Sequence, residues 1–132
     1  MTRRQSSLAI ATAGAAVIFH SCVKASPMKA IQLHVDLEVD PARTTAIEEV
    51  FRNTFEPTIR RQPGIVAVAL LRLRNEAPGA AAGKFNYRLL ISFETEEQRK
   101  QWVATAEHQR VWPEMEKNLT GAKYNSVLYD VV

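Results

Sequence analysis

The sequence predicts an α+β domain of order β-α-β-β-α-β, with one four-stranded antiparallel sheet and both helices on one of its faces. Residues 31–39 alternate between apolar and polar side chains, as a strand with one buried face does. A stripe of apolar residues at helical spacing and a second strand follow, and the same strand–helix–strand order returns between residue 85 and residue 132. The second face of such a sheet must also be covered, most simply by a second copy of the chain.

The first half is predicted as a strand from Ile31 to Val39 and a helix that begins at Asp40-Pro41, an N-cap followed by a proline at the first helical position. The helix is expected to run to about Gln62, and Pro57 is expected to kink or interrupt it. Its apolar stripe consists of Ile47, Val50, Phe51, Phe55 and Ile59.

The second and third strands are predicted at residues 65–74 and 85–94, joined by a loop rich in alanine and glycine. Thr95 to Gln98 form a capping box that begins the next helix. A further helical piece is expected from His108 to Leu119, with a break near Pro113 and an end at Gly121. The last strand is predicted at residues 124–132.

Residues 1–25 have the features of a secretory signal peptide, with Arg3 and Arg4 before twelve uncharged residues, 8–19. An uncharged run of this length is too short to span a bilayer, which takes about 20 residues. Cleavage after Ala25 would give a periplasmic or secreted protein. The paired arginines leave a twin-arginine route open, and Cys22 leaves a lipid anchor open.

The charge balance argues against nucleic acid as a partner. The chain has 17 basic and 14 acidic residues, and removal of Arg3, Arg4 and Lys24 with the leader leaves 14 of each. A net charge near zero does not favour binding to nucleic acid or to an anionic membrane.

Residues 28–132 resemble the antibiotic biosynthesis monooxygenase-like domain of the dimeric α/β-barrel superfamily. The resemblance lies in Arg61-Gln62-Pro63-Gly64 before the second strand, in residues 91–97 at the strand-to-helix turn, and in Trp102 and His108 on the following helix. It implies a ferredoxin-like sheet, and a homodimer in which two sheets face each other around a cavity.

The resemblance also implies a small hydrophobic or aromatic ligand. Known activities in the family are cofactor-independent oxygenation of polycyclic phenols and oxidative haem breakdown. Members with these activities commonly carry a tryptophan where this chain has Phe93, and an asparagine near the position of His34. His108 falls close to the histidine that binds haem iron in the haem-degrading branch.

The candidate catalytic residues are His34 and His108, the two histidines outside the leader. His34 could act as a base near neutral pH if it points into a dimer cavity, or could be an interface histidine. His108 lies four residues before Trp112, so both lie on one helical face. They could form a rim over the cavity, with His108 polarising bound oxygen, or could be structural.

The candidate ligand-binding residues depend on which face of the third strand points inward. Tyr87 and Phe93 share one face and, with Trp112, could hold an aromatic ring. If the other face points inward, the pocket is lined by Asn86, Arg88 and Ser92 instead, and Arg88 would pair with a phenolate or carboxylate.

We therefore predict an exported homodimer that binds a small aromatic or apolar molecule in its barrel cavity, with cofactor-independent monooxygenation as its reaction. No cofactor and no metal site are predicted, since two histidines and scattered carboxylates do not make a zinc site. The alternatives are a ligand-binding or stress-related dimer without catalysis, and a haem-binding or haem-degrading protein.

Overall fold

The computed structural model describes residues 30–76, 78 and 83–132, apart from the side chain of Ala122. The predicted signal peptide and Cys22 lie outside these residues. The strands are β1 (Ile31–Val39), β2 (Ile65–Arg72), β3 (Tyr87–Phe93) and β4 (Leu119–Asp130). They form one antiparallel sheet in the order β2-β3-β1-β4, which confirms the predicted α+β, ferredoxin-like class.

The helices cover only one face of the sheet. In the strand register, Leu33 lies opposite Ile91 and Leu128, whereas His34 lies opposite Leu90 and Val127. Because neighbouring strand residues point to opposite faces, the odd positions of β1 and β3 share the helix-covered face and the even positions share the open face. The covered positions include the most buried strand residues, namely Val35, Leu37, Val39, Tyr87, Leu89, Ile91 and Phe93.

The first helix, α1, occupies residues 44–59 and changes type along its length. A 3₁₀ turn (Pro41–Arg43) capped by Asp40 precedes α-helical Thr44–Val50, a π-helical turn (Phe51–Phe55) and α-helical Glu56–Ile59. Pro57 has no N–H to donate to the preceding turn, and its ring would crowd the carbonyl four residues earlier. The wider π turn directly before Pro57 accommodates the proline, so the helix widens instead of ending there.

The second half contains two helices, α2 (Glu96–Ala104) and α3 (Ala106–Glu116). The predicted capping box at Thr95 and Gln98 is present. The predicted break near Pro113 is wrong, because α3 continues through this exposed proline and the break lies at Thr105. The Thr105 hydroxyl donates to the Trp102 carbonyl (2.7 Å) and accepts from the His108 N–H (3.1 Å), so one side chain ends α2 and begins α3.

The last strand begins earlier than the sequence suggested. The helical piece expected to reach Leu119 ends at Glu116, and Leu119 is already the first residue of β4. Gly121 does not end a helix but lies within β4 at a φ of 60°, a conformation that glycine adopts at little cost. β2 ends at Arg72 and β3 begins at Tyr87, so both strands are two residues shorter at this end than predicted.

Gly64→Ala is expected to lower the free energy of unfolding by about 2–3 kcal/mol. Gly64 has a φ of +83°, and an added Cβ would lie 2.0 Å from Gln98 Oε1. Gln98 would have to release the Thr95 N–H, which opens the capping box of α2. Urea denaturation measures the change. Gly83→Ala is the matched control, because a Cβ there meets nothing within 4 Å, and equal losses in both variants would contradict this account.

Candidate functional site

A cavity of about 180 Å³ lies between the helices and the covered face of the sheet. Its walls are mostly apolar, and its polar groups come from α2, α3 and β4. Since β4 is an edge strand, the cavity is partly open to solvent on that side. The lining residues are Leu33, Val35, Phe55, Leu89, Ile91, Arg99, Trp102, Val103, His108, Trp112, Tyr124 and Ser126.

His108 is a half-buried polar residue of this cavity, held by its backbone and by an aromatic contact. Its backbone N–H donates a hydrogen bond to the Thr105 hydroxyl, and its ring packs edge-on against Trp102 at a centroid distance of 5.1 Å. The Nδ1 atom is buried and has no hydrogen-bond partner among the described residues. Burial lowers the pKa of His108 below its ordinary value of 6.5, so the imidazole is neutral at neutral pH. Such an imidazole can accept or donate one proton at the unpaired nitrogen.

Both tryptophans of the chain line the cavity. Trp102 is buried and packs edge-to-face with Phe55 at 6.1 Å. Trp112 is half-buried and packs edge-to-face with Tyr124 at 5.3 Å, next to the open side. The π-helical turn of α1 supplies Phe55, so the widened turn helps to shape the wall of the cavity.

Arg99 is the one charged residue among those that line the cavity. It makes two hydrogen bonds of 2.7 Å to the Glu96 carboxylate, through Nε and Nη2. The hydrogen bonds from Arg99 lower the pKa of Glu96, so the pair is ionised at neutral pH. The Arg99 side chain is 17% exposed and that of Glu96 is 37% exposed, so water screens the carboxylate more than the guanidinium.

Two predicted ligand-binding residues, Tyr87 and Phe93, lie on the covered face but do not line this cavity. Phe93 is fully buried in the core. The Tyr87 hydroxyl donates to Glu48, which also pairs with Arg72 at 2.7 Å, and burial raises the pKa of Tyr87. Phe93 therefore packs in the core, whereas Tyr87 lines two surface pockets next to Arg72, outside the cavity beneath the helices.

Two further predicted site residues, His34 and Arg88, lie on the open face of the sheet, away from the cavity. Arg88 Nε donates to Asp36 at 2.7 Å, and His34 Nε2 lies 3.1 Å from Gln32 Oε1. The His34 ring also contacts Tyr129 at a centroid distance of 4.7 Å. The structure therefore brings His108 together with Trp112 but separates both from His34, so the two predicted catalytic histidines do not share a pocket within one chain.

Several lining residues were absent from the sequence prediction, and their spacing contained the signal. Arg99, Trp102 and Val103 are three and four residues apart, so they share one face of α2. Trp102 and Val103 form an apolar face on this helix. Extending that face by one turn toward the N-terminus reaches Arg99.

The fold recurs in solved structures of low sequence identity. A candidate antibiotic biosynthesis monooxygenase from Caulobacter crescentus CB15 is 20% identical, with a TM-score of 0.65 over 80% of this chain and 92% of that one. SnoaB, a cofactor-independent oxygenase from Streptomyces nogalater, is 18% identical, with a TM-score of 0.59 over 78% and 92%. A dimeric protein of ferredoxin-like fold from Bacteroides fragilis NCTC 9343 is 14% identical, with a TM-score of 0.57 over 76% and 95%.

Sequence comparison gives the family. No curated protein matches the chain significantly. Among the described residues, no helix is long and apolar enough to cross a membrane. The family model for antibiotic biosynthesis monooxygenase matches residues 30–112, which contain β1, α1, β2, β3, α2 and most of α3. The chain therefore belongs to the antibiotic biosynthesis monooxygenase family.

Proposed function

We propose that this protein binds a small aromatic molecule in the cavity beneath its helices and oxygenates it without a cofactor. The observation that carries the proposal is His108, which lines a mostly apolar cavity and whose buried Nδ1 has no hydrogen-bond partner among the described residues. A buried polar atom without a partner costs roughly 1–3 kcal/mol, and a ligand hydroxyl that reaches Nδ1 would remove that cost. The family match and the fold shared with SnoaB support the reaction class.

The volume of the cavity favours a single-ring ligand. A protein cavity of roughly 150 Å³ can hold benzene, and the cavity here measures about 180 Å³. Pockets for drug-sized ligands usually measure about 300–1,000 Å³, so haem or a polycyclic phenol would require the helices to move away from the sheet. The size of the cavity therefore favours a monocyclic phenol over haem.

The proposed reaction uses His108 as the base. The neutral imidazole takes the phenolic proton, and the resulting phenolate passes an electron to dioxygen in a site shielded from water. Radical recombination forms a carbon–oxygen bond at the ring, the imidazolium returns its proton to the resulting peroxide, and loss of water with the ring hydrogen leaves a quinone. Phenol and dioxygen thus give quinone and water, and no external reductant is consumed.

His108→Gln is expected to weaken phenol binding about tenfold and to abolish oxygen uptake, because the variant keeps a polar side chain but has no base. Binding is measured by quenching of Trp102 and Trp112, and uptake with an oxygen electrode over a panel of monocyclic phenols. Arg110→Gln, exposed on the same helix, is the matched control.

The variant His34→Gln decides between the two histidines. If proton transfer belongs to His34, as the sequence suggested, His34→Gln and not His108→Gln abolishes uptake. Phenol binding without oxygen uptake in the wild-type protein would favour the alternative of a non-catalytic ligand-binding protein.

The acid stability of the protein should depend on His108. Because burial lowers its pKa in the folded state, the unfolded chain binds more protons between that lowered value and 6.5. This contribution to stability is present above pH 6.5 and is lost as the pH falls through the lowered pKa. Between about pH 7.5 and about pH 5.5, urea denaturation should therefore show a smaller loss for His108→Gln than for the wild type. An equal loss would contradict a neutral, buried imidazole.

We also propose that two copies pair through the open faces of their sheets. Leu71 and Val127 lie on this face, and both are exposed apolar residues. Exposed apolar side chains on a sheet face favour burial against another protein surface. The dimeric structural neighbour of Bacteroides fragilis supports a second copy as that partner.

Val127→Asp is expected to shift the protein from dimer to monomer, because it places a charge in the proposed interface. Leu128→Asp is the matched control. Leu128 is 44% exposed and Val127 is 36% exposed, and they lie side by side on opposite faces of β4. Sedimentation velocity measures the oligomeric state. A monomeric wild type, or dissociation in both variants alike, would contradict pairing through the open face.

We also propose that the protein is exported, because residues 1–25 have the features of a signal peptide. Mass spectrometry of the protein after expression in a Gram-negative host tests it. A periplasmic chain that begins after Ala25 supports a cleaved signal peptide, and a lipid mass on Cys22 supports the anchored alternative. An uncleaved cytoplasmic chain would contradict export.

A further inference from the structure

We propose that Arg99 binds the oxygen of the ligand in its ionised form, so that the cavity holds the phenolate formed by proton transfer to His108 more tightly than the neutral phenol. The inference rests on the proposed function, since it assigns a charge to the aromatic molecule that the cavity would hold. It identifies the substrate class as monocyclic phenols and related aromatic acids whose oxygen can ionise, rather than aromatic molecules without an acidic oxygen.

The charged groups around the cavity favour an anionic ligand. Arg99 is the one formally charged lining residue, and His108 is neutral at neutral pH. The faces of Trp102 and Trp112 would attract a cation, but Arg99 would repel it. An anion is therefore the charged ligand that this cavity favours.

The hydrogen bonds of Arg99 to Glu96 occupy only part of its guanidinium. A guanidinium has five N–H groups, and Glu96 engages Nε and Nη2. Nη1 makes no hydrogen bond to another described residue, so it has donors left for an oxygen anion. Arg99 is held in place by the same ion pair, which reduces the entropy lost when it binds a ligand.

The two charges of the ion pair differ in their exposure to solvent. Glu96 offsets the charge of Arg99, but its side chain is about twice as exposed, at 37% against 17%. Solvent screens the more exposed charge more strongly, and Arg99 lines the cavity whereas Glu96 does not, so Arg99 should act on a bound ligand more strongly than Glu96 does. Removing the Glu96 charge should then strengthen anion binding, whereas removing the Arg99 charge should weaken it.

The test uses two probes of similar size, 4-nitrophenolate and the neutral 4-nitrotoluene, at a pH where the phenol is ionised. Both quench tryptophan fluorescence, so the same titration of the full-length chain gives both dissociation constants. We expect wild-type protein to bind the phenolate about tenfold more tightly than the neutral probe.

Two variants of the ion pair should move the affinity for the phenolate in opposite directions. Arg99→Met keeps most of the apolar stem and should reduce the preference for the phenolate to about one. Glu96→Gln should increase the preference, and Arg99→Lys should retain part of it. Affinity for 4-nitrotoluene should change little in all three variants, and circular dichroism checks that each is folded.

The outcomes separate this inference from the function on which it rests. If neither probe quenches the wild-type protein, the proposed ligand cavity is wrong, and this inference is wrong with it. If 4-nitrotoluene binds and the phenolate binds no more tightly, the anion inference alone is overturned. If Arg99→Met and Glu96→Gln both lose phenolate affinity, the ion pair has only a structural role, which also overturns it.

Discussion

The alternation of side chains along β1 and β3, combined with helices on one face, determines the rest of this structure. Each strand residue belongs either to the covered face or to the open one, and a shift of one residue would exchange the two sets. The covered set contains Leu89 and Ile91, which form the floor of the cavity. The open set contains His34 and Arg88. The two groups of candidate residues therefore serve different surfaces, a ligand cavity and a proposed dimer interface.

The cavity depends on the junction between α2 and α3. Thr105 bonds to the backbone of Trp102 on one side and of His108 on the other, and the rings of these two residues meet edge-on across the junction. A single straight helix through residues 96–116 would have no such bend. The bend carries the end of α3 toward β4, where Trp112 meets Tyr124. A short capping interaction thus sets the shape of a site built from large aromatic residues.

Much of the fold could be predicted from the sequence, because the signals for it are local. The period-two pattern gave β1 its observed bounds, and the capping box gave the start of α2. The break near Pro113 was wrong because a proline at an exposed helix position costs only part of the helical bonding, whereas Thr105 offered caps to two helices. The cavity was harder to predict, since Phe55, Arg99 and Ser126 come from three distant segments and meet only through tertiary packing.

The unpaired Nδ1 of His108 is the observation that packing does not explain. An apolar side chain of similar shape would fill the same space next to Trp102 without the cost of a buried, unpaired polar atom. The neighbouring Arg99 is likewise an unusual residue for the wall of a mostly apolar cavity, although its hydrogen bonds to Glu96 outweigh the desolvation of its charge and raise its pKa. Both groups gain a further partner if the cavity holds a ligand whose oxygen atoms reach them. The two polar groups and the apolar walls thus favour the same kind of molecule, one aromatic ring with an acidic oxygen.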